Sequence, residues 1–190
     1  MALGKRMAAL SPLVLPSWHS VSAPAGASGF FPAALALPER TVMADLERLR
    51  ELIRSARQAA ARAYAPFSRF HVGAALEMAD DPAASIFTGA NVENSSYGLT
   101  MCAERTALHH AVSRGFRRLK HLAVSCASVS SAPLQDRSPC GACRQVIREF
   151  ADEHTLVLLD RGGDDFCADV LDIDRLLPFG FKFTPPGHAG

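Results

Sequence analysis

The chain has 190 residues, of which 48% are hydrophobic, 21% charged and 7% aromatic, a composition that fits one globular domain with or without a tail. Twenty Lys and Arg face nineteen Asp and Glu, so the one-sided positive field that grips a phosphate backbone is missing and nucleic acid is not an expected partner. Every apolar run is broken by Pro, Gly or charge before the roughly eighteen residues that a membrane-spanning helix needs, so no membrane partner is expected.

In chain order, residues 1–42 come first as an N-terminal extension. Up to Pro38 it holds no acidic residue, only Lys5 and Arg6 as basic ones, and much Pro, Ala, Ser and Gly. That pattern fits an over-extended, disordered start or an organelle-targeting segment, and both readings stay open. The patterned domain is expected over 43–190. Between Ala44 and Tyr64, the spacing of Leu46, Leu49, Ile53, Ala56 and Ala60 predicts an amphipathic helix. Pro66 stops it. His71 to Leu76 and Ile86 to Asn91 then read as two consecutive strands. Thr100 to Arg114 reads as helix, Leu119 to Ser125 as strand, Cys140 to Phe150 as helix and Thr155 to Leu159 as strand. Val170 to Leu177 is expected to form one more short helix. Helices alternating with buried apolar strands predict an α/β fold, a three-layer α/β/α sandwich around a mixed sheet of about five strands.

The five cysteines are Cys102, Cys126, Cys140, Cys143 and Cys167. An odd number argues against a disulfide framework and for reduced thiols, hence a cytoplasmic location. Met101-Cys-Ala-Glu-Arg105 and Ser138-Pro-Cys-Gly-Ala-Cys143 each open a predicted helix, where the positive dipole end favours thiolate, the form that binds zinc. Three thiol ligands leave a fourth position for water, the mark of a catalytic rather than a structural site. Glu104, two residues past Cys102, is then free to carry protons. A Cys-x-Glu stretch followed by Pro-Cys-x-x-Cys is the pattern of zinc deaminases. A non-enzymatic zinc-stabilised interaction module would need a fourth protein ligand, with Cys126 and Cys167 as candidates. Both of these read otherwise as small core residues. His109 and His110 read as packing or surface.

From about residue 45 to 182 the chain resembles the small, zinc-dependent, homotetrameric nucleoside cytidine deaminases. The likeness rests on Tyr64-Ala-Pro-Phe-Ser-Arg-Phe-His-Val-Gly-Ala-Ala-Leu76, Gly89-Ala-Asn-Val-Glu-Asn94, Cys102-Ala-Glu-Arg-Thr-Ala107 and Ser138-Pro-Cys-Gly-Ala-Cys-Arg-Gln145. The resemblance implies Zn²⁺ held by Cys102, Cys140 and Cys143, Glu104 as proton shuttle, Asn91 and Glu93 on the ribose hydroxyls, and Phe70 as the aromatic wall of the base pocket. It implies hydrolysis of cytidine and deoxycytidine to uridine and deoxyuridine with release of ammonia, in pyrimidine salvage. It also implies a homotetramer in which a Phe near the C-terminus reaches a neighbour's pocket, with Phe179, Phe181 and Phe183 all candidates. If Asn91 and Glu93 end a strand, their spacing of two puts both on one face, where an amide and a carboxylate grip a sugar hydroxyl together. Three thiolates on Zn²⁺ leave a net negative cluster, and Arg105 and Arg144, each next to a ligand, are the expected compensating charges; for Arg144 a surface salt bridge is the alternative. Alternative substrates are a blasticidin-like nucleoside or deoxycytidylate. The latter would need positive groups near the sugar 5′ position, where Glu93 stands instead.

Overall fold

The computed structural model describes residues 39–163 and 167–183, so most of the expected extension 1–42 and the last seven residues lie outside the described part. The first element is helix α1 (Glu39–Ala60), which starts five residues before the expected Ala44. Strands β1 (Gly73–Met78) and β2 (Phe87–Ala90) follow, then helix α2 (Ala103–Ser113) and strand β3 (Leu119–Ser125). A single helical turn, α3 (Leu134–Arg137), leads to helix α4 (Gly141–Phe150) and strand β4 (Leu156–Asp160).

The end of the chain corrects the expectation of one helix over 170–177. Ala168–Leu171 is a strand, β5, paired antiparallel with β4, and the helix α5 is confined to Ile173–Leu176. Asp172 caps that short helix by accepting from the Arg175 amide at 2.7 Å, which stops the strand and starts the helix within one residue.

The five strands form one sheet in the order β2-β1-β3-β4-β5, with β3 and β4 parallel and every other pair antiparallel. All six residues of β1 are buried, as a strand covered on both faces requires. Side chains alternate between two cores. Ala75, Ala123 and Leu158 meet Leu52, Ile53 and Ala56 of α1 on one face. Ala74, Leu76, Leu122, Val124, Val157 and Leu159 meet Ala103, Ala107, Leu108 and Ile147 of α2 and α4 on the other. This is the expected three-layer sandwich.

Two glycines let helices approach the sheet closely. A Cβ at Gly73 would lie 2.0 Å from the Ala56 carbonyl oxygen, and one at Gly89 would lie 2.4 Å from the Ala107 amide nitrogen. The second contact sets how near the start of α2 sits to β2. Gly89→Ala is therefore expected to cost about 1–3 kcal/mol or more by overpacking, read as a lower urea midpoint, and an unchanged midpoint would contradict the close approach.

Glu77 is buried on the α1 face of β1 at the far end of the sheet from Gly73. It accepts from Arg48 Nε at 2.6 Å, meets His121 Nδ1 at 2.6 Å and lies 3.4 Å from Lys120 Nζ. Burial pushes its carboxyl up, but His121, Arg48 and Lys120 together outweigh it and hold the group at about 2, below its ordinary 4.5. A carboxyl with a depressed folded-state pKa stabilises the fold fully above the ordinary value, and that contribution is lost as pH falls from about 4.5 towards 2. The stability difference between the natural chain and Glu77→Gln is expected to shrink over that window in denaturant titrations. A constant difference would contradict it.

Candidate active site

The C-terminal ends of the adjacent parallel strands β3 and β4 face the N-termini of α2 and α4, the end of an open α/β sheet where ligand sites gather. Each of those helices is opened by a cysteine in extended conformation. Cys102 precedes α2 with φ −75° and ψ 153°, and Cys140 precedes α4 with φ −63° and ψ 163°. Cys143 is buried in the first turn of α4. Cys102 thus meets a pair 38 residues further on: the three sulfurs all lie within 4.8 Å of one another, and Cys102 Sγ is 3.9 Å from Cys140 Sγ.

This donor set fits zinc. With Zn–S bonds of about 2.3 Å, tetrahedral thiolates stand about 3.8 Å apart, close to the separation of Cys102 and Cys140. Among the described residues the group contains only these three thiols. Cys126, a buried residue at the end of β3, does not join it. Burial, with the Glu104 and Asp160 charges, pushes its thiol up to about 12, as the core reading expects. Cys167 is a correction: it is exposed, beside the edge strand β5, and not a core residue.

Electrostatics prepare the trio for a cation. A hydrogen bond from Cys143 and the Arg105 guanidinium overcome burial and bring the Cys102 thiol down to about 5, so it is a thiolate at neutral pH. The Cys143 thiol is pushed up by donating to Cys102 and by burial. Arg105 donates to Cys102 Sγ at 3.5 Å and to the Thr100 carbonyl at 3.1 Å, the compensating place expected for it. Arg144 does something else. It donates to the Pro139 carbonyl at 2.7 Å, the Ser138 hydroxyl at 3.1 Å and the Leu176 carbonyl at 3.0 Å. It braces the loop that carries Cys140, and among the described residues none of its hydrogen bonds goes to a thiol or a carboxylate.

Glu104 occupies the first turn of α2 and is 5% exposed. Burial raises its pKa, and the Cys102 charge raises it further against the opposing Arg105 and Cys143. A carboxyl able to hold a proton thus lies one turn from a thiol cluster.

Asn91 and Glu93 lie just beyond β2, and both bond to residues 67–72. The Asn91 side chain accepts from the Val72 amide and donates to the Phe70 carbonyl, both at 2.8 Å. Glu93 accepts from the Phe67 amide at 2.9 Å, the Ser68 amide at 3.2 Å and the Ser68 hydroxyl, and the Ser68 hydroxyl leads the causes that lower its pKa. Both residues therefore shape the loop that presents Phe70, which is half-buried against the core. This bracing role was not legible from the spacing of two. Phe179, Phe181 and Phe183 are all strongly exposed, and His109 and His110 lie on the outer face of α2, with His110 edge-on to Phe87 at 5.3 Å.

Comparison with known proteins gives this geometry a family. A family model described as "Cytidine and deoxycytidylate deaminase zinc-binding region" matches residues 46–159. The cytidine deaminase of Halalkalibacterium halodurans is 46% identical over 130 residues, which are 68% of this chain and 91% of that protein. The cytidine deaminase of Sporosarcina psychrophila is 44% identical over 145 residues, 76% of this chain and 97% of that protein. Among solved structures, cytidine deaminase from Burkholderia pseudomallei superposes with a TM-score of 0.60 at 42% identity, covering 70% of this chain and 98% of that one. The fold is that of a deaminase, and the thiol trio lies within a zinc-binding deaminase region. The chain belongs to the cytidine and deoxycytidylate deaminase family.

Proposed function

We propose that the protein hydrolyses cytidine and deoxycytidine to uridine and deoxyuridine, releasing ammonia, with Zn²⁺ held by Cys102, Cys140 and Cys143. The observation that carries this reading is the convergence of three thiols at two helix N-termini beside the buried Glu104. The absence of a fourth thiol from the cluster among the described residues favours a catalytic over a structural metal. When bound, zinc supplies the Lewis acidity that makes water a nucleophile at neutral pH.

The chain's residues do the rest. Glu104 takes one proton from the attacking water and passes it to N3 of the pyrimidine; it then takes the proton of the new C4 hydroxyl and passes it to the C4 amino group, so that the C4–N bond breaks as the C4 carbonyl forms and ammonia leaves. Its raised pKa suits it to hold each proton between transfers. Arg105 and the two helix N-termini offset the surplus negative charge of three thiolates. Asn91 and Glu93 hold the sugar hydroxyls, through the Asn91 amide proton and the carboxylate lone pairs that the 67–72 loop leaves over, and Phe70 walls the base. A carboxylate at this position repels a 5′-phosphate, which disfavours deoxycytidylate.

The assembly is a homotetramer, and exposed Phe179, Phe181 and Phe183 are the aromatic groups available to meet a neighbouring subunit. The test is incubation of the zinc-loaded protein with cytidine, deoxycytidine, deoxycytidylate and blasticidin while ammonia is measured. Release from the two free nucleosides is expected. A fully zinc-loaded protein that leaves cytidine untouched would contradict the proposal.

A further inference from the structure

We propose that Arg137 is a positioning residue for Cys140: its buried guanidinium pins the segment leading into α4 to the ends of β4 and β5, and so sets where that thiol stands relative to Cys102 and Cys143. The inference rests on the zinc reading of the three thiols. The connection from the end of β3 to Cys140 has no place in the sheet; it contains a short 3-10 turn and the single turn α3. Something must fix its exit, because a ligand displaced by a fraction of an ångström spoils a metal site.

Arg137, the last residue of α3, is 5% exposed. Burying a guanidinium is costly unless its donors and charge are met, and here they are. Nε donates to the Ala132 carbonyl at 2.8 Å, Nη1 to the Asp160 and Leu159 carbonyls at 3.2 and 3.4 Å, and Nη2 to Asp169 Oδ2 at 2.5 Å. One planar fork thus joins the preceding loop, the end of β4 and the start of β5 to the residue three before Cys140. Arg144 holds the same segment from the helix side, through Pro139 and Ser138. Among the described residues none of the hydrogen bonds of Arg137 goes to a thiol, so it acts through the position of the backbone. A Lys offers a point charge without the fork and reaches Asp169 at the expense of the carbonyls.

The test compares zinc-loaded Arg137→Lys, Asp169→Asn and the natural chain for zinc release into excess chelator, for kcat and KM on cytidine, and for thermal midpoint. Arg48→Lys, which perturbs the ion pair to Glu77 at the other end of the sheet, serves as the control. Arg137→Lys is expected to release zinc about 10–100-fold faster, the range for partners that orient a ligand, with kcat lowered more than KM is raised. Asp169→Asn keeps the carbonyl bonds and should fall between. Arg48→Lys should lower the midpoint and leave zinc release unchanged. Natural release rates in Arg137→Lys and Asp169→Asn would overturn the proposal, as would equally fast release from Arg48→Lys at the same loss of stability. A natural chain that binds no stoichiometric zinc would instead overturn the zinc reading beneath it.

Discussion

Glu104→Gln is expected to lower kcat on cytidine by about three to four orders of magnitude while zinc content and thermal midpoint stay near those of the natural chain. General acid and base catalysis by one group contributes about 10²–10⁴-fold, and here one side chain handles every proton transfer. The amide is nearly isosteric, and Glu104 is not among the thiols that gather, so metal binding is left in place. Burial raises the Glu104 pKa, and a neutral amide satisfies that environment at least as well, so the fold should not suffer. Metal analysis with steady-state kinetics separates the outcomes: near-natural turnover at full zinc content would remove Glu104 from the proton path.

Cys140→Ala is expected to fail differently. An outer partner of a ligand is worth about 10–100-fold in metal affinity or activity, so removing a ligand should weaken zinc binding beyond about 100-fold and abolish turnover under chelation. The remaining pair, Cys102 and Cys143, presents two donors, too few for a catalytic zinc. Competition with a chromogenic chelator reads the loss directly. Natural affinity in this variant would show that Cys140 is not a ligand.

The site was legible because its signal is local. Cys102 and Cys140 precede helices that helical periodicity already marks, Glu104 and Cys143 follow within one turn, and the two short patterns together specify a chemistry that neither specifies alone. The sandwich was legible for the same reason, since apolar strands alternate with amphipathic helices. What escaped depends on partners far along the chain. The edge strand β5 is short and carries Asp169, and it offers neither a continuous apolar run nor a clean alternation, so pairing with β4 makes it a strand. Cys167 is exposed because it enters that edge strand. Arg137 stands among Gln, Asp and Ser, with no local signal of burial, and its partners on β4 and β5 lie 22, 23 and 32 residues away. The side chains of Asn91 and Glu93 were legible as polar groups on one face, but their use as braces for residues 67–72 required the loop to fold back on them.

Catalysis depends on a three-thiol metal site with one position left for solvent. X-ray absorption at the zinc edge on the purified, active protein tests it most directly. One zinc per chain is expected, with three sulfur neighbours at about 2.3 Å and one oxygen at about 2.0 Å. Four sulfur neighbours, or an active protein without zinc, would contradict it.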